Sequence, residues 1–225
     1  MFTVQEVRQA LSLAEFDADE AHQIMMPRPR VLQRPPNLAG RARLGGVLLM
    51  LYCLQDELHL LLTRRRDDLP AHAGQVSFPG GRHEPPETLL LTALRETHEE
   101  VGVTPEKLEI LGELTPLYIA PSDFEVHPFV AWTHDGIRPQ FRPDRREVAE
   151  IIEVPLRVLL DPASRLEEPW ELRGHEFTVP FFAVAGHKVW GATAMMLSEF
   201  VERLRHLREL RPWPQHAATP PRPCL

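Results

Sequence analysis

Three glutamates fall within five residues, Glu96, Glu99 and Glu100. On an α-helix the offsets i, i+3 and i+4 share one face, so three carboxylates would meet in a small patch. Most Glu-rich runs are solvated helix faces. Here, however, Glu96 and Glu100 stand at i,i+4, where like charges destabilise a helix by about 0.2–0.5 kcal/mol. A divalent cation would relieve that repulsion. All-oxygen ligation suits Mg²⁺, with Mn²⁺ as a substitute, rather than zinc, and such an ion can bridge to phosphate oxygens. Arg95 precedes Glu99 by one i,i+4 step and is placed to fix its rotamer.

The element that must hold these groups is a helix over residues 87–101, with Pro86 suited to its first turn and Gly102 to its C-terminal stop. On a helical wheel Leu90, Leu94, Thr97 and Val101 form the stripe that faces the core, and the glutamates lie nearly opposite. A long loop over 64–86, rich in Gly and Pro, precedes the helix and exceeds what a mere connection needs. Strands are expected at 45–53 and 58–63 as a hairpin, then at 108–114, 126–132 and 149–154, with a further hairpin at 172–184. A last helix is expected over 192–210; its apolar spacing would serve an ordinary core helix or pairing into a homodimer. Residues 1–40 read as a helical extension and linker, 41–211 as the main domain, and the Pro-rich 212–225 as a disordered tail.

Composition narrows the partners. With 25 basic and 32 acidic residues the net charge is −7, which argues against general affinity for nucleic acid or an anionic membrane. A small-molecule anion would need local arginines or metal. The apolar run at 44–54 is half a membrane span and contains two glycines, so it reads as a buried strand. Two cysteines, Cys53 and Cys224, form no disulfide framework or zinc cluster. With no basic segment leading into an apolar one at the N-terminus, a cytoplasmic location is expected.

Gly81, five residues, Glu87, seven residues, Arg95-Glu96, two residues, Glu99-Glu100, one residue, Gly102 and then Val103 together resemble the Nudix box of the Nudix hydrolase family. Seven fixed positions matched by chance at a given start have odds of roughly one in 10⁸ at ordinary residue frequencies, which favours the metal-site reading over a solvated face. Thr97 departs from the usual aliphatic residue and is expected to hydrogen-bond back to a carbonyl one turn earlier. The resemblance implies a Nudix fold of the α/β (α+β) class, a mixed β-sheet sandwiched between helices. It further implies Glu96 and Glu100 as principal metal ligands, Glu99 as a further ligand or orienter, and the Gly80 carbonyl as an additional oxygen. Glu96, Glu99, Glu100 and Arg95 would form the catalytic set, supported by Glu87, Gly81 and Gly102.

Upstream, Leu61-Leu62-Thr63-Arg64-Arg65, Leu69, His72 and the run from Gly74 to Gly81 look like the signature of the coenzyme A pyrophosphatase branch, departing from it at Arg66 and Pro70. Residues 121–129, with Asp123 in place of glycine, and 189–194 are similar to that branch as well. The implied reaction is Mg²⁺-dependent hydrolysis of the coenzyme A diphosphate to 3′,5′-ADP and 4′-phosphopantetheine, or its acyl form. Metal would serve the diphosphate, and guanidinium groups the separate 3′-phosphate. Arg64, Arg65, Arg66, Arg82, His72 and Gln75 are the expected substrate contacts, Phe78 and Trp190 packing residues. Glu99, Glu100, Glu147 or Glu150 would take the proton from water. A Nudix enzyme for ADP-ribose or NADH would share the box, and a non-catalytic nucleotide sensor would have no need of all three glutamates.

Overall fold

The structure is a computed structural model that describes residues 2–29, 42–172 and 174–210. Most of the expected linker, the tail at 212–225 and Cys224 lie outside the described residues. The chain opens with α1 (Val4–Leu11) and α2 (Ala18–Ile24), followed by β1 (Arg43–Leu54), β2 (Glu57–Arg65), β3 (Val76–Ser77) and β4 (Gly80–Arg82). Next come α3 (Leu89–Val101), β5 (Leu108–Glu113), β6 (Leu117–Ile119), β7 (Phe124–Ile137), β8 (Val148–Pro155) and α4 (Leu156–Leu160). The last elements are β9 (Arg165–Leu172), β10 (His175–Val184), β11 (His187–Trp190) and α5 (Gly191–Leu210).

The apolar run at 44–54 becomes β1, the middle of a mixed sheet ordered β3-β2-β1-β7-β5. It pairs antiparallel with β2 and parallel with β7. The first hairpin is longer than its apolar positions predict, because its turn is only Gln55-Asp56. Both residues take left-handed φ, 54° and 58°, as a two-residue turn between twisted strands requires. Strand alternation divides the β1 side chains between two cores. Leu49 and Leu51 face one, with α1, α2, α4 and α5; Leu48, Met50 and Tyr52 face the other, beneath α3.

Two expectations need correction. The supposed long loop at 64–86 is interrupted by sheet: β2 runs on to Arg65, β3 pairs back on Thr63 and Arg64, and β4 pairs with Gly45, Gly46 and Val47. The hairpin at 172–184 is one part of a separate three-stranded sheet, β11-β10-β9, in which β9 carries Pro169 and its charged residues near the edge. Buried positions of α5 from Thr193 to Leu207 are covered within the chain, where α1, α2 and β10 pack on it. No helix among the described residues is long and apolar enough to cross a membrane.

Candidate active site

The carboxylates are placed by α3, which starts at an N-cap where the Thr88 hydroxyl accepts from Leu91 N–H at 3.2 Å, and stops at Gly102 with φ 76°. Ala93, Leu94 and Val101 bury it against the sheet. Gly46 on β1 makes this possible: a Cβ there would sit 2.3 Å from the Leu89 carbonyl oxygen. Gly81 performs the same service for the site itself, since its Cβ would lie 2.4 Å from the Glu96 carboxyl carbon. The expected back-bond is present, Thr97 Oγ1 donating to Ala93 O at 2.7 Å.

The wheel's placement of Glu100 opposite the buried stripe is wrong. Glu100 is 8% exposed, whereas Leu90 is only half-buried. A second wall covers α3 besides the sheet, because residues 142–144 cross its C-terminal end, with Arg142 N–H on Val101 O and Asp144 N–H on Glu100 O. The three glutamates therefore descend from solvent to core, with side-chain exposure of 57% at Glu99 and 19% at Glu96, and Glu100 lowest.

Arg95 organises the upper two. Its guanidinium donates to both Glu87 oxygens (3.1 and 2.9 Å), to Glu96 (2.9 Å), to Glu99 (3.3 Å) and to the Arg82 carbonyl (3.3 Å). Glu87 stands just before the helix rather than in its first turn, and also accepts from the Thr92 hydroxyl and the Glu84 N–H. Its carboxyl is held down at about 2, chiefly by the Arg95 hydrogen bonds. Burial pushes Glu96 up, partly offset by Arg95. Burial pushes Glu100 up to about 8; Glu96 and Glu147 add to this, and Arg65 and the Gly80 N–H oppose it.

The charge of Glu147, outside the helix, adds to the rise at both Glu96 and Glu100, and its carboxylate lies 3.3 Å from Arg65. Glu150 is engaged instead by Arg64 (3.6 Å) and His187 (3.2 Å). Of the arginines singled out by sequence, Arg64 is also paired with Asp67 at 2.7 Å, and Arg66 grips Asp68 with two bonds of 2.7 and 2.5 Å. Arg82 is exposed. His72 Nδ1 and Gln75 Oε1 lie 2.8 Å apart, so this pair shapes the turn between β2 and β3. Phe78 is buried, and Trp190 packs edge-on to Trp170.

Among the described residues no three His, Cys, Asp or Glu side chains are grouped so as to hold a metal ion. Arg95 ties Glu96 and Glu99 to itself, and the Gly80 N–H holds Glu100. The donor set still suits a hard divalent cation: oxygens alone, a desolvated carboxylate beside a second one, and a glycine cradle that leaves Glu96 room. Sequence reasoning missed Thr92, Gly46 and the covering segment at 142–148. The Gly45-Gly46 pair inside a strand was the available signal, since glycine there marks close approach of another backbone.

The chain belongs to the NUDIX domain family, which residues 45–183 match. Within it, the chain is 35% identical over 196 residues to the uncharacterized Nudix hydrolase NudL of Photorhabdus laumondii, covering 87% of this chain and 99% of that protein. It is also 35% identical over 176 residues to NudL of Yersinia enterocolitica, covering 76% of this chain and 86% of that one. Among solved structures, a Nudix hydrolase from M. smegmatis, RenU, aligns with a TM-score of 0.49 at 18% identity, over 80% of this chain and 96% of that one.

Proposed function

We propose that this Nudix hydrolase, which acts on the pyrophosphate bond of a nucleoside diphosphate derivative, takes coenzyme A or its acyl forms as substrate with Mg²⁺ as its metal. The observation that carries the reading is the path of residues 61–81. This segment, which resembles the coenzyme A pyrophosphatase signature, bears Arg64 and Arg65 on β2 and ends at Gly80 and Gly81, against Glu100 and Glu96. Coenzyme A presents two kinds of anion, a diphosphate and a phosphate monoester. Carboxylates with metal and nearby guanidinium groups match that pair.

Glu96 and Glu100, with Glu99 and the Gly80 carbonyl, would hold Mg²⁺ or Mn²⁺, which when bound neutralises the diphosphate oxygens and acidifies water. Arg95, anchored by Glu87, fixes the rotamers of Glu96 and Glu99. Water forms a bond to one phosphorus as the bridging P–O bond breaks, the departing phosphate keeping the electron pair. Glu147 takes the water proton in this reading, because its charge acts on Glu96 and Glu100 from outside the helix while Arg65 orients it. The test is to incubate the protein with Mg²⁺ and, separately, coenzyme A, ADP-ribose, NADH and diadenosine polyphosphates, and to identify products by mass spectrometry. Release of 3′,5′-ADP and 4′-phosphopantetheine is expected. Cleavage of another diphosphate with coenzyme A left intact would overturn the substrate.

A further inference from the structure

On either side of Glu147 in sequence, Arg145 and Val148 line an open cleft of about 660 Å³, between the turn at 66–68 and the segment leading into β8, together with Arg66, Asp67, Asp68 and Pro143. Its size falls in the range of roughly 300–1,000 Å³ that small-molecule ligands occupy. Two observations give it a chemistry.

The first is charge. Asp67 is neutralised by Arg64, and Asp68 by Arg66. Next to Arg145 in sequence, Arg146 pairs with Asp144 at 2.7 Å. Arg145 is exposed and has no acidic partner among the described residues, so one guanidinium at this cleft is uncompensated. The second is position. Arg66 N–H donates to the Glu147 carbonyl at 3.0 Å, and Arg66 Nη1 to the Arg145 carbonyl at 2.8 Å. The cleft therefore shares a wall with the segment that carries Glu147, whose charge acts on Glu96 and Glu100. A ligand with its diphosphate at the carboxylates could reach the cleft with a second anionic group.

We propose that the cleft seats the phosphate monoester of the substrate, with Arg145 making the contact and Arg66 bracing the wall that carries it. The proposal rests on the coenzyme A reading, in which that group is the 3′-phosphate. A guanidinium free of carboxylates offers two parallel N–H donors to a phosphate, a geometry that lysine cannot reproduce. Pro143 and Val148 supply an apolar floor for the attached ribose. Arg64, singled out by sequence for this role, is already spent on Asp67 and Glu150.

The experiment compares coenzyme A with 3′-dephospho-coenzyme A as substrates of wild type, Arg145→Ala and Arg145→Lys. The readout is the preference, the ratio of kcat/KM for the two substrates. Arg145→Ala should reduce the preference for coenzyme A by about tenfold, mostly through KM, which corresponds to roughly 1.4 kcal/mol. Arg145→Lys should recover part of it. A preference unchanged in both variants, with coenzyme A still cleaved by wild type, overturns the seat alone. If wild type cleaves ADP-ribose but neither coenzyme, the substrate reading falls and the seat with it.

Discussion

Glu96, Glu99 and Glu100 carry the same side chain in three environments, and the difference has consequences that can be measured. Glu100, pushed up from 4.5 to about 8 by burial, keeps its proton in the folded metal-free protein where the unfolded chain has released it. Between those two values the folded state binds more protons, so stability falls as pH rises through the window. Thermal unfolding of metal-free protein should therefore show a higher Tm at about pH 5 than at about pH 8. Glu100→Gln should flatten that dependence, and an equally steep slope in the variant would contradict the assignment. Glu87 has the opposite sign: held at about 2 by Arg95, it stabilises above its ordinary 4.5 and loses that contribution as pH falls toward 2. Arg95→Lys removes a planar group that reaches Glu87, Glu96 and Glu99 at once. Metal affinity by titration calorimetry should drop by about 10–100-fold while circular dichroism is unchanged, and wild-type affinity would sink the positioning role. The identities of these residues were legible because their spacing is local. The burial of Glu100 was not, because residues 142–144, more than forty positions away, create it.

At the scale of elements, the site exists because α3 approaches β1 and β4 closely enough for glycine alone. Gly46→Ala would place a methyl 2.3 Å from the backbone oxygen of Leu89, which cannot swing aside. Denaturant unfolding should show a loss of about 1–3 kcal/mol, the usual penalty of overpacking. Gly81→Ala meets a side chain instead, the Glu96 carboxylate at 2.4 Å. Its effect should fall on turnover more than on stability; if both variants lose only stability, Gly81 does not cradle the site. The long elements were readable in outline: β1 and β2 from apolar runs, α3 and α5 from helical spacing. Strands of two to four residues, such as β3, β4, β6 and β11, carry too few positions to show a period. They are set by pairing with distant partners, which is why 64–86 looked like a loop.

Across the whole molecule, the N-terminal helices belong to the same core as the sheet. Val7, Ala10 and Met25 are buried in it, and α2 is tied to α5 through His22 and the fully buried Glu199, 2.9 Å apart. Glu199 also accepts from Arg203 at 2.9 Å and from the Thr115 N–H and hydroxyl; with the His22 contact foremost, these partners hold its carboxyl below the usual range despite burial. Glu199→Ala would strand Arg203 and His22 without their partner and should destabilise the fold by roughly 3–5 kcal/mol, read from the unfolding midpoint. Two helices of eight and seven residues give mixed spacing in sequence, so this packing was visible only in three dimensions. The sheet, the covering segment and the glycine cradle all converge on Glu100 and its neighbours, and one assay probes that convergence directly. It is the release of 3′,5′-ADP and 4′-phosphopantetheine from coenzyme A with Mg²⁺, by wild type and by Glu100→Gln side by side. Wild type should release the two products in equal amounts, and the variant should be slower by about two orders of magnitude or more. Equal release by both, or none by wild type, would contradict the assignment of this site to coenzyme A hydrolysis.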